Sequence, residues 1–426
     1  MSAVALRRIR LFISTLYAAV LAGFLAVLFN YSFEMISGPL FHEFTHQFPL
    51  RFQDFLRFYS IGQILCSDEK MHVYDPEVQL RFFNALISPA HTDKVMFVQH
   101  PPFLFSFFIP FASLPLNQSY GAWFICSILF GSAPVILLLL QKRKLSILQL
   151  FSFFIGFAVC LPAWRAHYIG QLSWFLVGLF AFYVWALLVK RRVLAGAMLA
   201  LTLAKLQYLP FLLLPLMANR SKKLLVSFAV SVVLLLCIAG TTVGWSNVFG
   251  YPFILLSTES SQDVGLFPEE MVCLRGPLSC FPRPIALFIS GASGLLAFMF
   301  LVAIWWRYRT PTEQEYRWLI SLTLIAALVF APHVHHYDCL ILAIPAALTL
   351  TTVDPFEAVK LPSRPFRCWT LLFIVYPAFS WIVSMLTFLG DKLYYLFTIF
   401  DISMLILCYL VLQSLKPSSL VDQRRL

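Results

Sequence analysis

The chain has 426 residues, of which 60% are apolar and only 12% charged, with 44 phenylalanines. A soluble domain carries about twice that share of charge, so composition excludes an ordinary soluble enzyme. The formal charge of +11 invites a nucleic-acid partner, but the basic residues sit in short clusters between apolar runs, as membrane-orientation signals do, and no nucleic acid is expected.

Roughly twenty consecutive apolar residues span a bilayer as a helix, and such a helix satisfies its own backbone groups. The expected fold is an all-α polytopic membrane protein, a single integral membrane domain over residues 1–426. Apolar segments are read at 11–30, 100–115, 118–140, 147–163, 171–189, 194–206, 208–218, 223–244, 284–306, 317–331, 338–353, 369–389 and 393–413, a bundle of about 11–13 segments. Arg7, Arg8 and Arg10 precede the first run, which lacks a small-residue cleavage site and reads as a signal anchor with a cytoplasmic N-terminus.

Simple alternation of crossings puts QKRK (141–144) and KRR (190–192) outside, against the positive-inside rule. The conflict disappears if 100–115 is short and re-entrant and 194–218 is a broken hairpin. Both stretches are interrupted by proline, at Pro101, Pro102 and Pro110 and at Pro210 and Pro215, and broken helices are tolerated in membranes where they line a cavity. Every basic cluster then lies inside, the tail 414–426 included. The outer face collects a first large extracytoplasmic loop, 31–99, a second, 245–283, and the polar turns Arg165–Gln171 and His333–Asp338.

The first outer loop holds QDFLRFYSIGQIL, with Asp54 among Phe52, Phe55, Phe58 and Tyr59, and Arg57 one helical turn on. Such a segment is expected to lie in the interface with its apolar face in lipid. VYDP (73–76) is a turn signal. A carboxylate held at the membrane surface is a candidate general base for a hydroxyl acceptor.

Further along, WRAHYIGQLS (164–173) supplies Arg165, His167 and Gln171. In AKLQYLP (204–210), Lys205 and Gln207 sit inside the broken hairpin, where a lysine costs roughly 2.5–3.5 kcal/mol and defaults to a functional hypothesis. Arg275 followed by Gly276 can offer a guanidinium and backbone amides to a phosphate. In APHVHHYDCL (331–340), His333, His335, His336, Tyr337 and Asp338 read as a hydrogen-bonding rim for a sugar or phosphate rather than a metal site, because no HExxH spacing is present. Cys273 and Cys280 are either a disulfide or free thiols. There is no Walker or GxGxxG signature for a nucleotide and no Asp-x-Asp, so neither a cofactor nor a metal is expected.

In their order along the chain, QDFLRFYSIGQIL with VYDP, QHPPF with PFASLP, GQLS (170–173), AKLQYLPFLLLPL (204–216), MVCLRGPLS (271–279) and APHVHHYDCLILAIP (331–345) resemble the polytopic GT-C glycosyltransferases. Within that class they resemble glycosyltransferase family 87, which includes bacterial polyprenyl-phosphate-mannose-dependent α-mannosyltransferases. The resemblance implies a hexosyltransferase at the extracytoplasmic face of the cell membrane, taking a hexose, with mannose foremost, from a polyprenyl-phosphate donor to a lipid or glycan acceptor. It implies Asp54 as the base of a single inverting displacement, Lys205 and Arg275 at the donor phosphate, and Gln171, Gln207, His335 and His336 around the sugar. The sequence departs from the family at His100, where Tyr is frequent, and at Ala331, where Ser is frequent. A transporter or flippase is the alternative, since broken helices with a buried lysine also suit a substrate pathway. Transporters, however, pair their broken segments in two related halves.

Overall fold

In an apolar segment the α-helix closes every backbone hydrogen bond internally, and the molecule is built almost wholly from that element. A computed structural model describes residues 53–93, 97–141, 147–260, 268–352, 364–387 and 393–415. The segment expected at 11–30 and the tail 416–426 lie outside the described residues. Among those described, the one β pairing is an isolated bridge between Met271 and His335.

Helix α1 (Gln53–Leu65) opens the described chain. Phe55, Leu56, Phe58, Tyr59, Ile61 and Ile64 are all buried, so both flanks of the helix meet protein. Phe58 stacks on Phe108 at 4.7 Å, and Phe55 sits against Tyr120 and Trp123. This corrects the expectation of an interfacial helix with its apolar face in lipid: the aromatic residues anchor α1 within the protein. The turn at VYDP is a helix start. Asp75 caps α2 (Pro76–Ile87) by accepting from the Glu77 amide at 2.9 Å, and Pro76 occupies the first turn, where it loses no hydrogen bond.

The expected re-entrant stretch is three short helical pieces between Pro102 and Ala112. Beyond it α3 (Leu116–Leu139) and α6 (Ser173–Leu188) lie side by side, with Phe130 stacked on Phe175 at 4.6 Å. The chain between them is two helices, α4 (Ile147–Ala158) and α5 (Leu161–Ile169), instead of the single segment expected at 147–163. Pro162 starts the second of them, as proline does in a first turn.

The stretch from Arg192 to Asn219 folds back on itself. Helix α7 (Arg192–Leu201) leads into a 3-10 run, Thr202–Tyr208, broken at Lys205 (φ −130°, ψ 87°), and α8 (Leu209–Leu213) follows. Tyr208 meets Phe180 at 5.4 Å and the Leu212 carbonyl accepts from Tyr183 at 2.8 Å. The chain thus descends along α6 after its apex at Lys205. Helix α9 (Lys222–Val243) then starts level with α7: Ser227 donates to the Val193 carbonyl at 2.6 Å, and a Cβ on Gly196 would lie 2.4 Å from the Leu224 carbonyl oxygen.

Helix α10 (Trp245–Ser260) precedes α11 (Arg283–Arg307), α12 (Glu313–Phe330), α13 (Ala343–Thr352), α14 (Arg364–Thr387) and α15 (Tyr395–Ser414). Among the described residues, six stretches are long and apolar enough to cross a membrane by length and composition, namely α3, Arg192–Leu213, α9, α11, Pro365–Ser384 and α15. Of these, Arg192–Leu213 is the limb that turns back at Lys205. Only 17% of the apolar window of α9 and 11% of that of α11 is buried, so most of their side chains lie on the outside of the bundle, where a bilayer would meet them. The chain is an all-α polytopic membrane protein.

The elements sort the polar residues to two ends. At one end, the helix starts at Arg192 and Lys222 lie together, and buried Arg317 ties Glu313 (2.7 Å), Gln141 (2.7 Å) and Thr351 (2.8 Å) into one knot. Thr312 and Glu315 form a reciprocal capping box there at the start of α12. The opposite end holds Asp54, Gln171, Arg275 and His333–Asp338.

Candidate active site

The first turn of α1 presents Asp54, and two side chains hold its carboxylate. Arg57, one turn along, brings Nη1 to 3.2 Å from Oδ1. Gln171 donates Nε2 to Oδ2. Gln171 is placed by the end of α5: Gly170 adopts φ +76°, a left-handed cap natural to glycine, and the Gln171 amide returns to the Ala166 carbonyl at 2.7 Å. A Cβ on Gly170 would lie 2.4 Å from the Cβ of Phe55. The same glycine therefore turns the chain and lets α5 touch α1 next to Asp54.

A second ion pair lies behind the first. Lys205, at the hairpin apex, puts Nζ 2.6 Å from Oδ1 of Asp338, and the two side chains are 7% and 0% exposed. Asp338 also accepts from Ser173 Oγ at 3.2 Å and from the His335 amide at 3.3 Å. A buried charge persists when it is paired and hydrogen-bonded, and Asp338 meets both conditions for Lys205. Tyr337 stands between the two pairs. Its hydroxyl is 3.4 Å from Gln171 Nε2, and its ring centroid is 5.5 Å from the lysine ammonium.

The loop of residues 268–280 is stitched to the segment after α12. Val272 donates to the Val334 carbonyl at 2.9 Å and Leu274 to that of Val329 at 2.8 Å. Arg275 is buried there, with Nη1 3.4 Å from the Pro332 carbonyl oxygen. The Gly276 amide does not face a ligand: it donates to the Cys273 carbonyl at 2.9 Å. A Cβ at Gly276 would come within 1.9 Å of the Met271 carbonyl oxygen. The Arg-Gly pair is thus a guanidinium followed by a packing glycine. Cys273 and Cys280 are free thiols, one buried and one exposed.

The histidines divide into two groups. His333 and His335 approach Nε2 to Nε2 at 3.2 Å, and His335 stacks on Tyr337 at 5.3 Å. Burial holds His335 down to about 4, and it lowers His333 as well, with His335 and Lys205 adding to the effect. Half-buried His100 packs on Phe58 at 5.3 Å. Desolvation, with the nearby charges of Lys205 and Arg57, lowers it to about 3. These imidazoles are neutral near pH 7 and serve as hydrogen-bonding groups. His336 instead stacks on Tyr394 at 4.9 Å. Gln207 donates to the His333 carbonyl at 2.9 Å and holds the histidine segment in place.

Asp54, Gln171, Lys205, Arg275 and His335 are therefore brought to one region, Gln207 supports it, and His336 faces another. Asp338 was legible only as part of a polar rim, and its pairing with Lys205, 133 residues away, has no sequence signal. A second hidden acid is Asp401 in α15, fully buried, with Cys339 Sγ 3.6 Å from Oδ2; an aspartate alone in an apolar run is the signal that marks it. Among the described residues no group of three or more His, Cys, Asp or Glu side chains could hold a metal ion.

Compared with known proteins, residues 97–332 match the family described as Glycosyltransferase family 87, more than half of the chain. The match takes in Gln171, Lys205, Gln207 and Arg275, starts after Asp54 and stops before His333. No curated protein and no solved structure matches the chain.

Proposed function

The chain belongs to glycosyltransferase family 87, and from that premise we propose that it moves a hexose, mannose first, from a polyprenyl-phosphate donor to a lipid or glycan acceptor, with Asp54 as the base. That it is a membrane glycosyltransferase follows from the family and the fold together, which leaves the transporter alternative without support. The observation that carries the finer reading is the setting of Asp54, a carboxylate whose two oxygens are oriented by Arg57 and Gln171 at the polar end of the bundle.

In this reading Asp54 takes the proton of the acceptor hydroxyl as the acceptor oxygen attacks the anomeric carbon. The bond from that carbon to the phosphate oxygen breaks on the opposite face, and the configuration inverts. The leaving polyprenyl phosphate gains a negative charge, which Arg275 and Lys205 are placed to offset. Lys205 does so while retaining Asp338, so its contribution is partial. Neutral His333 and His335, with Gln171, supply hydrogen bonds to sugar hydroxyls. Gln207 and His336 act from behind, through the His333 backbone and the Tyr394 ring. The lipid chain of the donor reaches the site laterally from the bilayer.

Orientation follows from charge. Lys190 to Arg192, Arg220 to Lys223, and Arg307 with Arg309 mark the end away from Asp54, and cytoplasmic loops carry the basic excess. The site is therefore read as extracytoplasmic, in the cell membrane. The test is to incubate purified protein with polyprenyl-phosphate mannose, glucose or arabinose and membrane lipids. A glycosylated product from the mannose donor is expected; no product from any of the three refutes the donor class.

A further inference from the structure

The reaction proposed above moves one negative charge across the site. Asp54 starts as a carboxylate and ends protonated. The donor phosphate starts as a singly charged diester and ends as a monoester with one more charge. A cation between the two is paired with the wrong partner at one end of the reaction, and in the structure Arg57 is paired with Asp54.

Resting on that reading, we propose that Arg57 exchanges partners, leaving Asp54 for the polyprenyl phosphate, so that donor binding releases the base. Two ion pairs are available to open, and they differ in what opening them exposes. Lys205–Asp338 is 7% and 0% exposed, and Asp338 has two further hydrogen bonds in the protein. Opening it strands a buried carboxylate, which is strongly unfavourable. Arg57–Asp54 is 22% and 14% exposed, and Asp54 keeps Gln171 when Arg57 departs.

Arg57 also carries a spare donor: its Nε is buried without a hydrogen-bond partner. A guanidinium that grips Asp54 by Nη1 alone still has donors for two phosphate oxygens. Release of Arg57 from Asp54 needs only side-chain rotation, because Arg57 lies one turn beyond Asp54 on the same helix. Arg57 and Lys205 are joined by a chain of contacts: Arg57 pairs with Asp54, Gln171 donates to Asp54 and lies 3.4 Å from the Tyr337 hydroxyl, and the Tyr337 ring centroid is 5.5 Å from the lysine ammonium.

The step balances without a further reactant. The acceptor proton goes to Asp54 and the acceptor oxygen pair forms the new glycosidic bond. The electrons of the old bond stay on the phosphate, where Arg57 meets them. Arg57 is thus a positioning residue for the base in the resting enzyme and an electrostatic partner of the leaving group in the product complex.

Binding of a product mimic tests the exchange without turnover. Full-length protein in nanodiscs is titrated with farnesyl phosphate, an isoprenyl monophosphate, in the wild type, Asp54→Asn, Arg57→Gln and the double variant. Competition for Arg57 means that Asp54→Asn binds about fivefold more tightly than wild type, the scale of a partly exposed ion pair. In the Arg57→Gln background the same change gives no gain. An equal gain in both backgrounds means simple removal of repulsion and overturns the exchange, as does no gain in Asp54→Asn alone. If Arg57→Gln does not purify as folded protein, Arg57→Met carries the same cycle. The two failures are distinguishable: loss of transfer in Asp54→Asn with a failed binding cycle removes only the exchange, whereas retained transfer removes the base, and with it the release proposed here, whatever the binding cycle gives.

Discussion

Replacing Asp338 by Asn keeps the size of the side chain and removes the charge that faces Lys205. The ammonium lies 2.6 Å from Asp338 Oδ1, with the two side chains 7% and 0% exposed, so water cannot take the place of the carboxylate. Breaking a buried pair by removing one partner costs about 3–5 kcal/mol. The Ser173 hydroxyl bonds Oδ1 and the His335 amide bonds Oδ2, at 3.2 Å and 3.3 Å; an Asn whose oxygen accepts from the His335 amide turns its NH2 toward Ser173, whose hydroxyl can accept, so the loss is chiefly that of the ion pair. Removing both charges, in Lys205→Met with Asp338→Asn, recovers most of the stability, because no buried charge is left unpaired and the Asn amide still serves Ser173 and the His335 amide. The assay is thermal unfolding in detergent, followed by loss of the monodisperse folded fraction, for both single variants and the double. Each single variant is expected to unfold well below wild type and the double to lie close to it. Single variants as stable as wild type, or a double variant whose loss is the sum of the singles, would refute the reasoning that the pair is a coupled buried unit.

Three other outcomes follow from the structure. Gly276→Ala places a Cβ 1.9 Å from the Met271 carbonyl oxygen; the 268–280 loop must shift, and the variant is expected to lose transfer while the bundle still inserts, measured by activity against yield of folded protein. Arg317→Ala cuts the knot to Gln141, Glu313 and Thr351; it is expected to lower thermal stability by about 2–4 kcal/mol and leave the donor KM unchanged, since this end lies away from Asp54. Acidification tests the neutral histidines. An unfolded imidazole binds its proton near pH 6.5, whereas folded His335 does so at about 4, so between these values the unfolded state holds more protons. Stability therefore falls as pH drops from about 6.5 to 4, by up to about 1.4 kcal/mol per pH unit from this residue, and His335→Gln should flatten that slope in a pH series of unfolding temperatures.

Much of the fold was legible because apolar length is a direct signal in a membrane chain. The segments read at 118–140, 223–244, 284–306 and 393–413 appear as helices Leu116–Leu139, Lys222–Val243, Arg283–Arg307 and Tyr395–Ser414. The hairpin was legible from a conflict: full crossings would have scattered the basic clusters, and prolines 210 and 215 marked the stretch as interrupted, although the backbone breaks at Lys205 and the prolines start the short helices after it. The division of 147–163 into two helices was not, because hydropathy is blind to Pro162 inside a continuous apolar run.

The candidate site was legible as residue types and not as pairs. Lys205 announced itself by its cost in an apolar segment. Its carboxylate lies 133 positions later, and no local pattern connects them. The burial of α1 was concealed for a related reason. An aromatic helix suits lipid and protein equally well, and only the rings of Phe108, Tyr120 and Trp123 decide between them. Asp401 is marked in the sequence as a lone aspartate in an apolar run, but nothing local connects it to Cys339, the residue next to Asp338, which it reaches in the fold.

The most direct measurement is sugar transfer by Asp54→Asn, assayed beside wild type with polyprenyl-phosphate mannose and membrane lipids, on protein shown to be folded. A positioned general base contributes about 10²–10⁴-fold, so the variant is expected to retain at most about one hundredth of the wild-type rate. Transfer near the wild-type rate would contradict the account and remove Asp54 as the base.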